Sequence, residues 1–335
     1  MAYLLNLDTG EAFPLAEHHT FGRHATSVNT HLNRPCVSKV HAAIIWDGVS
    51  WCIKNLGLNG TWLNERQLQE GDAPELAIND HIRLAEVDSP GFRVINLSPP
   101  SDMLWPLHAD QELANGEVQP IYLERYHLLP DNQAPNLAIY YDEQRQGWFK
   151  EDLQSSGHSQ ALAEGETLWL DHHPWQLLQT PVYGPTEAKV GALKRLSDHR
   201  FIFHLSADEE STHIELHWGK QVIDMGHRTH HYLLQHLARQ RLADAEAGLS
   251  ASNQGWVYSD QLNAELGIET THINIQIFRA RKQFSDTLTD VLGIQQLLER
   301  RGGKIRFGCD QFTIFKDDVL LAESTASEFR SSVNE

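Results

Sequence analysis

The sequence is short of the features that mark a chain for an oxidising environment or a membrane. Cysteine occurs three times in 335 residues, at Cys36, Cys52 and Cys309, far apart and never as CxxC. That excludes a disulfide framework and points to a reducing compartment. No run of about 18 apolar residues exists, so no membrane-spanning helix is expected. The start, Met1-Ala2-Tyr3-Leu4-Leu5, has no basic region and meets Asp8 and Glu11 at once, unlike a signal peptide. A cytoplasmic protein without membrane contact is expected. Positive charge is scarce as well: 27 Lys and Arg stand against 45 Asp and Glu, a net charge of −18. Such a surface cannot bind nucleic acid as a whole, although a local basic patch could. Catalytic signatures are missing too, with no P-loop, nucleophile elbow, zinc motif or paired acids in a recognisable frame. No enzyme activity and no cofactor are expected. His172, His173, His227, His230 and His231 follow no Cys/His spacing of a known zinc site. They read as surface or core side chains, and no metal is expected.

What is present is enough apolar material for packed cores, 41% hydrophobic against 21% charged residues, over a length that suggests two or three domains. Near the start, Tyr3 to Leu7 and Ala12 to Leu15 flank Asp8-Thr9-Gly10, an opening hairpin. Ala42 to Trp46 and Trp51 to Ile53 have strand composition around an Asp47-Gly48 turn. Between and after these runs lie three polar clusters: Phe21-Gly22-Arg23, Ser38-Lys39-Val40-His41 and Asn59-Gly60-Thr61. Two cations, two hydroxyls and an amide could together surround a phosphate, which brings about −1.5 to −2 charges and three acceptor oxygens.

Those clusters, at those separations, resemble the signature of the forkhead-associated (FHA) domain, a β-sandwich that reads phosphothreonine. The resemblance spans residues 1–97, with Leu76 to Leu84 similar to the family's closing strand pair. It implies phosphothreonine contacts from Arg23, Ser38, Lys39, Asn59 and Thr61. It also implies structural roles for Gly22, His41 and Gly60, with the histidine bracing the loops. Lys39 departs from the arginine that the family often carries; it keeps the charge and loses the bidentate fork. The competing reading is a degenerate sandwich that binds no phosphate.

Ser98-Pro99-Pro100-Ser101 reads as a linker. Residues 98–200 form a β-rich middle segment, expected to be a spacer or a module that could supply a homodimer contact. Leu137 to Leu153 faintly echoes Ala43 to Leu56, as a second, degenerate sandwich would, with Gln154-Ser155-Ser156-Gly157 in place of Asn59-Gly60-Thr61.

Residues 201–316 read as an α+β domain. Short strands at Phe201 to Leu205, Ile214 to Trp218 and Gln221 to Ile223 precede a helix from about Arg228. Ser259 is a candidate N-cap for a short helix ending at Gly267. A longer helix from Thr270 or Thr271 places Ile273, Ile277, Ala280, Phe284 and Leu288 on one stripe. Thr271, Asn274, Ile275, Phe278, Arg279 and Lys282 fall toward the other side. From Thr270 to Arg306 seven Lys and Arg face three acids, a local +4 on an acidic chain.

This second helix resembles the recognition helix of the response-regulator type of winged helix-turn-helix, and Leu297 to Phe307, with Gly302-Gly303 at its tip, resembles the wing. The resemblance implies DNA contacts from Thr271, Asn274, Gln276, Arg279, Arg281, Lys282, Arg301 and Lys304. Phe278 departs from the usual polar residue; it either meets a thymine methyl or packs inside. The expected chain is thus multidomain and mainly β: an FHA sandwich (1–97), a β-rich middle (98–200), a winged helix (201–316) and a disordered acidic tail (317–335). Its expected function is a phosphothreonine-responsive transcription regulator, with a phosphorylated protein and double-stranded DNA as partners. The alternative is a phosphopeptide-binding scaffold or adaptor whose winged helix grips protein. Thr325, in the tail, is a candidate phosphorylated ligand for the crest of its own or a neighbouring chain.

Overall fold

A computed structural model of the chain describes residues 1–154, 159–180 and 194–324. Thr325 and residues 155–157 of the proposed repeat lie outside them. The chain is mainly β and divides into two units, Met1–Leu123 with Ala163–Gly184, and Glu124–Leu162 with Pro185–Glu335.

The first unit opens with β1 (Tyr3–Asn6), β2 (Ala12–Pro14), β3 (His18–Gly22), β4 (Thr30–His31), β5 (Ala42–Trp46), β6 (Trp51–Asn55), β7 (Thr61–Leu63), β8 (Arg66–Gln67), β9 (His81–Leu84) and β10 (Phe92–Asn96). They make two sheets, β2-β1-β10-β9-β7-β8 and β4-β3-β5-β6. Alternation along each strand sends Leu4, Phe21, Ile44, Ile53, Ile82 and Val94 into one shared core. The expected β1–β2 hairpin and the Asp47-Gly48 turn are both present; Asp47 Oδ1 accepts the amides of Val49 and Ser50. The other face of β1 buries Tyr3 and Leu5 with Met103, Trp105 and Leu113. Those last residues come from β11 (Met103–Pro106) and α1 (Asp110–Asn115), which β12 (Ile121–Tyr122) follows.

The chain then leaves this unit for β13 (Tyr126–Leu129), β14 (Leu137–Asp142), β15 (Gly147–Asp152) and β16 (Ser159–Leu162), an antiparallel meander of the second unit. It returns as β17 (Thr167–Leu170) and β18 (His173–Leu178), which join β11 and β12 in the order β12-β11-β18-β17. The stretch 98–200 is therefore shared between the units. The echo of β5–β6 in β14–β15 goes no further than the hairpin: this sheet packs Tyr126, Leu128, Ala138 and Tyr140 against helices, where a sandwich would face a second sheet.

The rest of the second unit holds β19 (Lys194–Arg195), β20 (Arg200–Leu205), β21 (Thr212–Trp218), β22 (Gln221–His227), α2 (Thr229–Glu246), β23 (Val257–Tyr258), α3 (Ser259–Leu266), α4 (Thr270–Thr287), β24 (Val291–Leu292), β25 (Leu298–Arg301), β26 (Lys304–Phe307), β27 (Phe312–Lys316) and β28 (Val319–Glu323). The main sheet runs β22-β21-β20-β27-β28, a smaller one β23-β26-β25, and β19 pairs with β24. The apolar stripe of α4 is buried as its spacing predicts, and Gly267 ends α3 at φ +65°. Ser259 is the first helical residue and not the cap; its hydroxyl donates to the Gly303 carbonyl at 3.1 Å.

The tail differs from expectation over its first residues. Asp317 and Asp318 take positive φ (47° and 61°), a geometry suited to a tight hairpin turn, and β28 pairs with β27. The Ser324 hydroxyl closes the strand by donating to the Phe312 carbonyl and accepting its amide. Acidic composition hid the strand because its leucines are edge residues and exposed.

Candidate functional site

The three polar clusters of the first unit converge at one end of the sandwich through a single buried side chain. His41 is fully buried. Its Nδ1 accepts the Ser38 amide at 3.0 Å and its Nε2 donates to the Gly60 carbonyl at 2.8 Å. Both bonds are satisfied together only by the neutral Nε2–H tautomer. Burial pushes the imidazole below its ordinary value, with the Gly60 bond pulling the other way. Close approach fixes two glycines around this brace. A Cβ on Gly57 would stand 2.4 Å from the His41 ring, and one on Gly22 2.2 Å from the Lys39 carbonyl.

On that frame Arg23, Lys39 and Asn59 are exposed and Ser38 half-buried. The Arg23 amide donates to the Ser38 carbonyl at 2.9 Å and its Nε to the Val37 carbonyl at 3.1 Å, which aims the guanidinium while leaving its terminal nitrogens free of any carboxylate among the described residues. Ser38 Oγ accepts the Leu58 amide at 3.2 Å, so its proton remains to be donated. Asn59 Nδ2 donates to the Cys36 carbonyl at 2.7 Å. Gly60 takes φ +88°.

Thr61 does not join this group. It is fully buried and its hydroxyl donates to Asn55 Oδ1 at 2.9 Å. Asn55 also accepts the Gly57 amide and donates to the Gly57 carbonyl. Thr61 thus stiffens the loop from within. Asn55, which the sequence analysis does not single out, is the residue that shapes it; an Asn two residues before a glycine is the available signal.

The second candidate surface, α4, is turned the other way from expectation. Asn274, Gln276, Phe278 and Arg281 are all buried. Asn274 Nδ2 donates to the Leu153 carbonyl at 3.0 Å, and its Oδ1 accepts Arg300 Nη2 at 2.6 Å. Arg300 in turn pairs with the buried Glu151 of β15. Arg281 Nη2 donates to the carbonyls of Leu298 (2.6 Å) and Gln295 (3.3 Å). Phe278 packs on Tyr140, ring centroids 5.8 Å apart. Arg279 is half-buried and donates to the Asn132 and Gln133 carbonyls, while Lys282 pairs with Glu124 and Asp286. The physical reason is the sheet β13–β16: it lies on the helix face that a lone helical wheel leaves to solvent. A wheel drawn for one helix cannot register a covering sheet more than about 100 residues away in sequence.

Thr271 remains half-buried at the start of α4. The hairpin β25–β26 carries the free part of the basic patch. Its tip, Gly302-Gly303, takes φ +56° and +75°. Arg301 is exposed with its guanidinium 4.5 Å from the Trp256 ring centroid, and Lys304 Nζ stands 4.4 Å from that of Tyr258. Among the described residues no helix is long and apolar enough to cross a membrane.

Comparison with known proteins bears on the first unit. The FHA domain family matches residues 19–85, and that segment is an FHA domain. Solved structures similar to this chain include EmbR of Mycobacterium tuberculosis in complex with a low-affinity phosphopeptide, 27% identical over 29% of this chain and 25% of that one, TM-score 0.26. The FHA domain of an Arabidopsis thaliana hypothetical protein is 25% identical over 30% of this chain and 88% of its own, TM-score 0.27. The FHA domain of FhaA, complexed with the intracellular domain of another protein, is 28% identical over 28% of this chain and 98% of its own, TM-score 0.24. The chain thus spans about a quarter of the length of the EmbR chain it matches. No curated protein matches.

Proposed function

We propose that this chain reads phosphothreonine on a partner protein through the crest formed by Arg23, Ser38, Lys39 and Asn59. The observation that carries the reading is a pair of exposed cations, without carboxylate partners among the described residues, held on loops that His41 ties together. A dianionic phosphate supplies the missing counter-charge and enough acceptors for the guanidinium, the ammonium, the hydroxyl and the amide. Fluorescence anisotropy with labelled phosphothreonine peptides and their unphosphorylated twins tests it. Arg23→Ala removes charge-assisted bonds of about 1.5–3 kcal/mol, a roughly 10- to 150-fold loss of affinity. Equal binding of both peptides, or an Arg23→Ala chain that binds like the parent, refutes it.

For the second unit we favour the adaptor over the promoter-binding regulator. What supports this is the burial of Asn274, Gln276 and Arg281: the helix face that would enter a major groove already grips a β-sheet of the same chain. The resemblance to a winged helix then describes a protein-contact module. Gel shifts over a range of salt decide between the two. The adaptor reading expects no sequence-specific complex. A specific complex whose affinity falls steeply with salt restores the regulator, and requires β13–β16 to leave α4.

A further inference from the structure

The sheet β22-β21-β20-β27-β28 has one face in the core and one facing away from it. Phe201, Phe203 and Leu205 of β20 and Ile214 and Leu216 of β21 take the core. Period-two alternation therefore puts His204, His213, Glu215 and His217 on the opposite face. His204 and His213 are direct cross-strand partners, and so are His213 and His227 of β22. One donor atom each from His204, His213 and Glu215 lies within 4.8 Å of the other two.

We propose that His204, His213 and Glu215 form a binding site for a divalent first-row transition metal, Zn²⁺ foremost. Two imidazoles and a carboxylate are a donor set that such ions take up. Ligands about 2.1 Å from a tetrahedral ion stand roughly 3.4 Å apart, so each side chain closes by about 1 Å, a small side-chain rotation. Each donor also has a second contact that orients it. His213 gives Nε2 to Asp224 Oδ1 at 2.6 Å, which leaves Nδ1 for an ion in the carboxylate–histidine–metal arrangement. Glu215 holds the Nε2 of His217 on Oε2 at 2.9 Å and keeps Oε1 open. The His204 ring stacks on Phe315, centroids 5.4 Å apart and planes 14° from parallel. Its Nε2 is buried with no hydrogen-bond partner among the described residues. Three protein ligands leave a fourth position for water or a partner's side chain.

The sequence conceals this site because its ligands are paired across a sheet. His204 is nine residues from His213, outside any zinc spacing, whereas the adjacent His230 and His231 look more like ligands and instead share Gln283 Oε1 in the interior. Calorimetric titration of the chelator-treated full chain with Zn²⁺, with Co²⁺ absorption as the reporter of geometry, tests the proposal. The expected result is one equivalent bound, with tetrahedral-type visible bands for Co²⁺. Affinity should fall at least tenfold in Glu215→Gln and the site should vanish in His204→Ala/His213→Ala. His172→Ala/His173→Ala should leave both signals intact. Circular dichroism establishes that each variant is folded. Should the alanine pair unfold, Glu215→Gln alone decides. No binding by the parent, or equal binding by a folded Glu215→Gln chain, overturns the assignment.

Discussion

Replacing His41 by alanine should cost the first unit more than any substitution of an exposed crest residue. The side chain joins the loop at Ser38, three residues before it, to the loop at Gly60, 19 residues after it, with one bond to the Ser38 amide and one to the Gly60 carbonyl. Losing both forfeits about 1 kcal/mol each, and the half-buried Ser38 amide then lacks a partner, whereas the Gly60 carbonyl keeps the Ala85 amide at 3.0 Å. Adding about 1 kcal/mol for that unpaired amide gives a destabilisation on the order of 3 kcal/mol, against a whole-domain stability of about 5–15 kcal/mol. Urea unfolding of the full chain, followed by tryptophan fluorescence, should show an early transition moved to lower denaturant. Phosphothreonine peptide affinity should drop with it, since Ser38 and Asn59 lose their common support. His41→Phe, which restores volume but neither bond, should recover little. If His41→Ala leaves both the midpoint and the affinity unchanged, the loops hold themselves and the brace argument is wrong.

Other expectations concern residues whose roles the structure redefines. Thr61→Val should lower stability by about 1 kcal/mol while hardly changing peptide affinity, because its hydroxyl serves Asn55 and not a ligand; parallel anisotropy and denaturation runs separate the two. Glu151→Ala leaves the half-buried Arg300 without its carboxylate and should cost about 3 kcal/mol in the second unit. Lys282→Ala, whose partner Glu124 is largely exposed, should cost under about 1 kcal/mol in the same assay. Stability should also fall on mild acidification. Burial pushes His230 and His231 from 6.5 down to about 4, so the unfolded chain binds more protons between those values. Their contribution is whole above pH 6.5 and is lost as the pH falls toward 4, with about 2 kcal/mol per histidine gone by pH 5. Melting curves from pH 7 to 5 measure it, and Gln283→Leu should change the slope.

The crest was legible because its chemistry is local and its motifs are tripeptides. His41 ties the Ser38 and Gly60 loops, Gly22 lies against the Lys39 carbonyl, and Arg23, Lys39 and Asn59 stand exposed with Ser38 half-buried. Thr61 was misplaced because alternation on a three-residue strand decides whether a hydroxyl faces out or in, and a turn tripeptide does not reveal that phase. The helices of the second unit were equally legible, their stripes and stops falling where spacing and Gly267 put them. What lay beyond reach was the other face of α4. Its basic and amide side chains read as a solvated surface until a sheet from residues 126–162 covers them, and no property of α4 itself announces that partner. The His204, His213 and Glu215 cluster on β20 and β21 escaped for a similar reason, since only strand pairing brings its members together.

The route of the chain between the two units limits how the protein can be divided. β11 pairs with β18, yet the whole of β13–β16 lies between them in sequence and belongs to the other unit. No single cut therefore releases either half intact. Truncation after Leu123 strips β11 of a neighbour, and deletion of everything up to Leu123 leaves β17 and β18 without the sheet they complete. A protease nick in the loops flanking this excursion would leave the fragments associated through the paired strands.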